Sequence, residues 1–239
     1  MCTVTYIPLP NNNFIFSSNR DETPLRKTLA PKTYVEDGIS MTFPKDALAG
    51  GTWIGVSGKN RLVCLLNGGF VNHNRKMNYR MSRGVIVKNL LKCESVFEEI
   101  NTFDFTNIEP FTLICIDWDR EYVALEFVWD GNEKHVRTLD ESPQIWSSAP
   151  LYDQTMKQER HAWFQKLYES EVTIDKASML AFHQYEKEGD SKNSIKMKRL
   201  FVETVSTTVI EKKNDVLELH YLDYLNEANT MQMKLGIQP

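Results

Sequence analysis

The stretch from Thr3 to Ser18 constrains this chain more than any other. Thr3-Val4-Thr5-Tyr6-Ile7 alternates β-branched and aromatic residues, Pro8-Leu9-Pro10-Asn11-Asn12-Asn13 is a dense turn signal, and Phe14-Ile15-Phe16-Ser17-Ser18 resumes the strand pattern. Two strands separated by so short a turn fold back as an antiparallel hairpin. With the turn centred near position 10 or 11, residue i pairs near residue 21 − i, which sets Cys2 opposite roughly residue 19, beside Asn19-Arg20-Asp21-Glu22. A second hairpin is expected from Thr52–Ser57 through Gly58-Lys59-Asn60 to Arg61–Leu66. It is entered by Gly50-Gly51 and left by Asn67-Gly68-Gly69.

Further along, helical pattern runs from Ser82 to Lys92 and again from Ser95, where Glu98 three residues on makes a capping box. Phe111–Asp117 and Tyr122–Trp129 read as apolar strands and Gln144–Ser148 as a weaker one. Asp153 caps a helix carrying Met156, Trp163 and Leu167 on one face, and Thr173–Glu186 forms another. Glu188–Lys198 reads as a polar loop. Phe201–Ile210 and Val216–Leu222 close the chain as a strand pair around Lys212, Lys213, Asn214 and Asp215. Strands in two large blocks, with helices mostly between them, predict an antiparallel-rich α/β sandwich with helix-covered sheets rather than a doubly wound parallel sheet.

Composition narrows the function classes. Apolar residues at 41% and charged residues at 25% are those of a globular protein with a large core. The 28 basic and 32 acidic side chains give a net charge of −4, against the basic excess of a general nucleic-acid binder. No apolar run reaches the roughly 20 residues that cross a bilayer. Cys2, Cys64, Cys93 and Cys115 form neither a C-x-x-C pair nor a zinc-ligand spacing with the five histidines. Met1-Cys2-Thr3-Val4 has no basic stretch followed by an apolar segment, so no signal peptide is expected. A cytoplasmic setting with free thiols, no metal, no cofactor and a small-molecule partner is expected; the oligomeric state is left open.

Cys2 stands apart from the other three. Removal of Met1 would make it residue one, where its α-amine, with a reference pKa near 7.7–8.0, can take or relay the proton of a thiol near 8.5. That is a nucleophile with its own base. Arg20 can stabilise a thiolate or a substrate oxygen, and Asp21 can orient the α-ammonium. Asn67, ahead of two glycines, is a candidate oxyanion donor. The plainer readings stand beside these. Cys64 and Cys115 are buried structural thiols, and Cys93 lies at a helix junction without a visible base. Arg20 and Asp21 are alternatively a strand-end ion pair, and Asn67 a turn residue. Trp53 is core or pocket wall, and Asn72, His73 and Asn74 are loop. Asp117 and Asp119 are turn residues, while Lys192, Lys196, Lys198 and Arg199 belong to a solvated loop.

Met1-Cys2, Ser17-Ser18-Asn19-Arg20-Asp21-Glu22, Gly50-Gly51-Thr52-Trp53-Ile54-Gly55 and Leu66-Asn67-Gly68-Gly69 together resemble the NRDE family, also called the transport and Golgi organisation protein 2 family. That family is placed with the N-terminal nucleophile (Ntn) hydrolases. The resemblance implies a four-layer αββα sandwich over residues 1–239 as a single domain, with Cys2 as nucleophile and Arg20 and Asp21 as its partners. Asn19, Trp53 and Ser148 would then face substrate. A more distant similarity to the choloylglycine and penicillin V acylase group implies Asn67 as the oxyanion donor. That group sets its arginine three residues before the aspartate, whereas Arg20 directly precedes Asp21. Its later asparagine is replaced by Ser147 or Ser148, and its late arginine has no match in Glu203-Thr204-Val205-Ser206-Thr207. The expected function is therefore an amidohydrolase cutting a non-peptide carbon–nitrogen bond of a small molecule. The alternatives are a carrier for haem or a lipid-like ligand on the same fold, and a plain structural protein.

Overall fold

The computed structural model describes residues 3–170 and 172–236. They fall into two compact units, one running from Thr3 to Arg26 and from Glu141 to Gly236, the other from Lys27 to Asp140. Strands β1 (Thr3–Leu9) and β2 (Asn13–Glu22) open the first unit. The second holds β3 (Thr28–Glu36), β4 (Ile39–Asp46), β5 (Ile54–Ser57), β6 (Arg61–Asn67), α1 (Arg83–Lys92), α2 (Val96–Thr102), β7 (Phe111–Asp117), β8 (Val123–Trp129) and β9 (Lys134–Thr138). The chain then returns to the first unit with β10 (Gln144–Ser147), α3 (Gln154–Tyr168), α4 (Lys176–His183), β11 (Glu203–Lys213), β12 (Val216–Asp223) and β13 (Met231–Gly236).

The first unit is built on one antiparallel sheet in the order β10-β1-β2-β11-β12-β13. Its opening hairpin pairs Thr3 with Asn19 and Leu9 with Asn13, one position later than the sequence predicted. The cause lies in the turn. Asn11 and Asn12 both take left-handed backbone, with φ of 62° and 57°, which asparagine tolerates better than most residues. The loop is thus three residues long, and the Asn13 side-chain amide donates to the Pro10 carbonyl at 2.9 Å.

Side chains alternate across a strand, so Ile7, Ile15 and Val209 share one face. There they pack with Phe164, Met179, Phe182 and Ile195 in a buried cluster flanked by Trp163 and Leu167. Each such side chain stabilises the fold by about 1.5–3 kcal/mol through its burial.

Helix α3 is capped by Asp153 as expected, whereas α4 departs from expectation. The buried face of α3 is made by Arg160 and Phe164, with Trp163 and Leu167 only at its margin. Asp175 and Ser178 form a reciprocal capping box, so α4 starts at Lys176 instead of Thr173. It ends before Gln184, short of the expected Glu186. β11 likewise starts at Glu203 and not at Phe201, because the Arg199 N–H donates to the Val202 carbonyl at 2.8 Å and closes a turn there.

In the second unit seven strands run β3-β4-β5-β6-β7-β8-β9, each paired antiparallel with the next in the chain. The β5–β6 hairpin turns through Gly58-Lys59-Asn60 as predicted, with Ile54 opposite Cys64 and Ser57 opposite Arg61. Helix α1 packs on β5 and β6, capped by Ser82, whose hydroxyl accepts from the Gly84 N–H. A Cβ on Gly51 would lie 2.9 Å from the Gly84 carbonyl carbon, so only paired glycines let the helix start this close to the backbone before β5. At α2 the Ser95 hydroxyl accepts from the Glu98 N–H, one arm of the expected box. No helix among the described residues is long and apolar enough to cross a membrane.

Candidate functional site

Strand β2 carries five consecutive polar residues, Ser17 to Asp21, all buried. Such a run is costly unless each group finds a partner. Alternation sends Ser17, Asn19 and Asp21 to the face that bears α3 and α4, and Ser18 and Arg20 to the opposite one. Asp21 accepts from the Tyr152 hydroxyl at 2.9 Å and from Thr204 Oγ1 at 2.6 Å. Arg20, 3% exposed, donates to the Arg26 carbonyl at 3.2 Å. β11 runs alongside with a bulge, Thr204 facing Asp21 and Ser206 facing Arg20.

Asn19 is fully committed to the framework. Its Nδ2 donates to the carbonyls of His183 and Ile195 at 3.0 and 2.9 Å, which identifies Oδ1 as the acceptor. That oxygen receives Thr207 Oγ1 at 2.7 Å and meets His183 Nδ1 at 3.0 Å. The His183 proton is therefore on Nδ1, and Nε2 accepts from Thr5 Oγ1 at 2.8 Å. Burial, reinforced by the Arg160 cation, pulls this imidazole down to a pKa of about 3, so it is neutral.

Arg160 lies wholly inside the first unit. Its guanidinium carbon sits 3.7 Å from the centre of the Tyr152 ring. Its nitrogens donate to Thr3 Oγ1, to Ser147 Oγ at 3.4 Å, and to the carbonyls of Asn193 (3.2 Å), Ser194 and Ile195 (3.5 Å). The segment predicted to be a solvated loop thus has Asn193, Ser194 and Ile195 buried, their carbonyls turned onto a cation. Arg160, Tyr152, His183 and Thr204 were all missed in the sequence. The available signal for Arg160 was its place on the same helical stripe as Met156, Trp163 and Leu167.

The remaining candidates distribute as follows. Cys2 lies outside the described residues; Thr3, to which it is bonded, pairs with Asn19 on one side and Ser147 on the other. Ser148 is 2% exposed, and its Oγ has no partner among the described residues; the same is true of Ser206 Oγ. Asn67 and Trp53 belong to the second unit. Asn67 ends β6 opposite Phe111, half-buried, and its side-chain amide makes no hydrogen bond among the described residues. Gly68 follows with φ of 82°, a turn that asparagine alone does not supply. Trp53 is buried.

Cys64 and Cys115 are buried, and burial pushes the Cys115 thiol far up. Cys93 caps α1 beside Arg61, yet burial outweighs that cation and raises its pKa as well. Asp117 accepts from Arg61 Nε at 2.7 Å and from the Asp119 N–H at 3.1 Å, which accounts for this acidic pair as an ion pair and a turn.

Comparison with solved structures places this architecture. The Caenorhabditis elegans orthologue of N-acylethanolamine-hydrolysing acid amidase is 18% identical, with a TM-score of 0.60 over 87% of this chain and 92% of its own. A single-residue variant of conjugated bile acid hydrolase from Clostridium perfringens is 10% identical, with a TM-score of 0.61 over 98% and 92%. Penicillin V acylase from Agrobacterium tumefaciens is 11% identical, with a TM-score of 0.51 over 99% and 91%. No curated protein sequence matches the chain. The two antiparallel sheets and these likenesses show the α+β fold of the Ntn hydrolases, as the sequence predicted. The chain belongs to the Transport and Golgi organisation 2 family, whose model matches residues 1–232.

Proposed function

We propose that the protein is an N-terminal cysteine amidohydrolase that cleaves the carbon–nitrogen bond of a small-molecule amide, with residues 1–239 acting as one domain. The observation that carries this reading is the Asp21 carboxylate. It is buried, fixed by two hydroxyl donors, and two residues beyond the β2 position paired with Thr3. A carboxylate so held favours a cationic partner, and the proposed partner is the α-ammonium of Cys2 after Met1 is removed.

In the proposed reaction the neutral α-amine takes the thiol proton, becoming the ammonium that Asp21 holds, and the sulfur attacks the amide carbonyl. Arg20 balances the negative charge that develops on the carbonyl oxygen. Collapse breaks the C–N bond, the ammonium proton leaves with the amine, and a thioester remains. Water then adds to the thioester and releases the carboxylic acid and the free thiol. Ser148, whose hydroxyl has no partner among the described residues, serves as a substrate contact. Asn19 has no valence to spare and is assigned to the framework.

Intact-mass spectrometry of the purified protein tests the first step, with loss of Met1 expected. Coumarin amides of short and long acyl chains test the second. Acylation of the Cys2 peptide in wild type, absent in Cys2→Ala, is expected. Met1 retained in every molecule, or Cys2→Ala releasing coumarin as fast as wild type, overturns the proposal.

A further inference from the structure

Between β6 and α1, the segment from Gly68 to Arg83 contains Arg75, Lys76, Arg80 and Arg83 and no aspartate or glutamate, in a chain of net charge −4. The same segment presents large apolar side chains to water: Phe70, Val71 and Met77 are 54%, 74% and 100% exposed. It is nevertheless tied down at its base. Glu109, itself 13% exposed, lies 3.0 Å from Arg83 Nη2 and 3.4 Å from His73 Nε2, while the largely exposed Arg75 comes only to 3.7 Å through its Nε. Arg80 donates to the Asp104 carbonyl, and the Lys76 N–H donates to the Tyr79 hydroxyl at 3.0 Å, closing a turn that projects Lys76 and Met77. Lys76 has no ion-pair partner among the described residues.

We propose that this segment docks the protein on an anionic lipid bilayer, Phe70, Val71 and Met77 entering the headgroup layer while Arg75 and Lys76 meet lipid phosphates and carboxylates. The combination selects the partner. A nucleic acid would use the cations and leave three large apolar groups in water. An apolar protein groove would bury those groups and gain nothing from a segment that holds four arginines and lysines without an acid. A bilayer interface accepts both kinds of group at once. The anchored base lowers the ordering cost of docking, since the turn is formed before contact.

Vesicle co-sedimentation of the full chain tests this. Wild type should pellet with phosphatidylcholine vesicles containing about 30% phosphatidylserine and stay in solution with pure phosphatidylcholine, and binding should fall steeply from about 0.1 M to about 1 M salt. Each basic residue at the surface is worth about fivefold in partition, so Arg75→Gln with Lys76→Gln should lose about 25-fold. Phe70→Ser, Val71→Ser and Met77→Ser together should also release the protein while leaving its thermal midpoint unchanged. No pelleting of wild type at low salt overturns the proposal without any variant. Binding that the apolar triple leaves intact and single-stranded DNA competes away reassigns the loop to polyanions and overturns it. Self-association lost in the apolar triple, without vesicle binding, assigns the loop to a second copy and overturns it too.

Discussion

His183 offers a direct test of the polar interior of the first unit. Its imidazole is buried, bonded through both nitrogens to Asn19 and Thr5, and held near pKa 3 against an ordinary value of 6.5. Below pH 6.5 the unfolded chain protonates this ring and the folded chain does not. The unfolded state then binds more protons, and stability must fall as the pH drops toward 3. Each pH unit inside that window costs about 1.4 kcal/mol, so lowering the pH from 7 to 4 should remove about 3 kcal/mol through this one group. The comparison is urea unfolding of wild type and His183→Gln at pH 7, 5.5 and about 4, followed by tryptophan fluorescence. The carboxylates titrate alike in both proteins and cancel, leaving a shallower pH slope in the variant. Parallel slopes would refute the neutral, buried imidazole. Should the variant fail to fold, the ring ¹⁵N shifts of wild type decide the matter, since Nε2 must stay unprotonated down to about pH 4.

Three further outcomes follow from contacts described above. Tyr152→Phe removes one donor from the Asp21 carboxylate without changing volume, so it should cost about 1.5–3 kcal/mol in urea unfolding; less than about 0.5 kcal/mol would mean the bond is dispensable. Gly84→Ala would gain up to about 1 kcal/mol in an ordinary helix, but here the new Cβ lies 2.9 Å from the Thr52 carbonyl oxygen, and a net loss of about 1–3 kcal/mol should appear as a lower Tm. Arg61→Met strands Asp117 and the carbonyls of Leu90 and Cys93, which it binds at 2.7, 2.8 and 2.7 Å. A loss of about 3–5 kcal/mol is expected, and a stabilised variant in calorimetry would show that the ion pair is replaceable by packing.

The parts of the fold that could be read in the sequence are those where one local signal dominates. Phe111–Asp117 is a strand with a strongly apolar centre, Leu113 to Ile116, and its bounds agree with the sequence reading, and the β5–β6 hairpin follows from its turn. The first hairpin was found with its register shifted, because two consecutive left-handed asparagines lengthen the loop and no pattern in the strands announces it. β3 was invisible for a different reason: most of it is solvent-facing, it contains Pro31, and its pairing with β4 shifts between Leu29 and Lys32. The polar run on β2 was legible because it is contiguous. Its partners were not, since Tyr152, His183 and Thr204 arrive from separate elements more than 130 positions downstream, and only the assembled sheet brings them onto one face.

The bulge in β11 carries a consequence for how this chain can change length. Asn19 and Asp21 are two apart on β2, whereas the hydroxyls that serve them, on Thr207 and Thr204, are three apart on β11. In a regular strand an odd separation points side chains to opposite sides, so the supernumerary residue is what lets both threonines serve the same row of acceptors. Deleting Val205 would leave Thr204 and Thr207 two apart in a regular strand, with both hydroxyls still on the side of Asn19 and Asp21 and every bond of the backbone ladder free to re-form. The loss would fall on the buried Val205 side chain and not on the polar contacts. Shortening by one residue should therefore be tolerated by this polar row, as it should in the turn around Asn214 and Asp215.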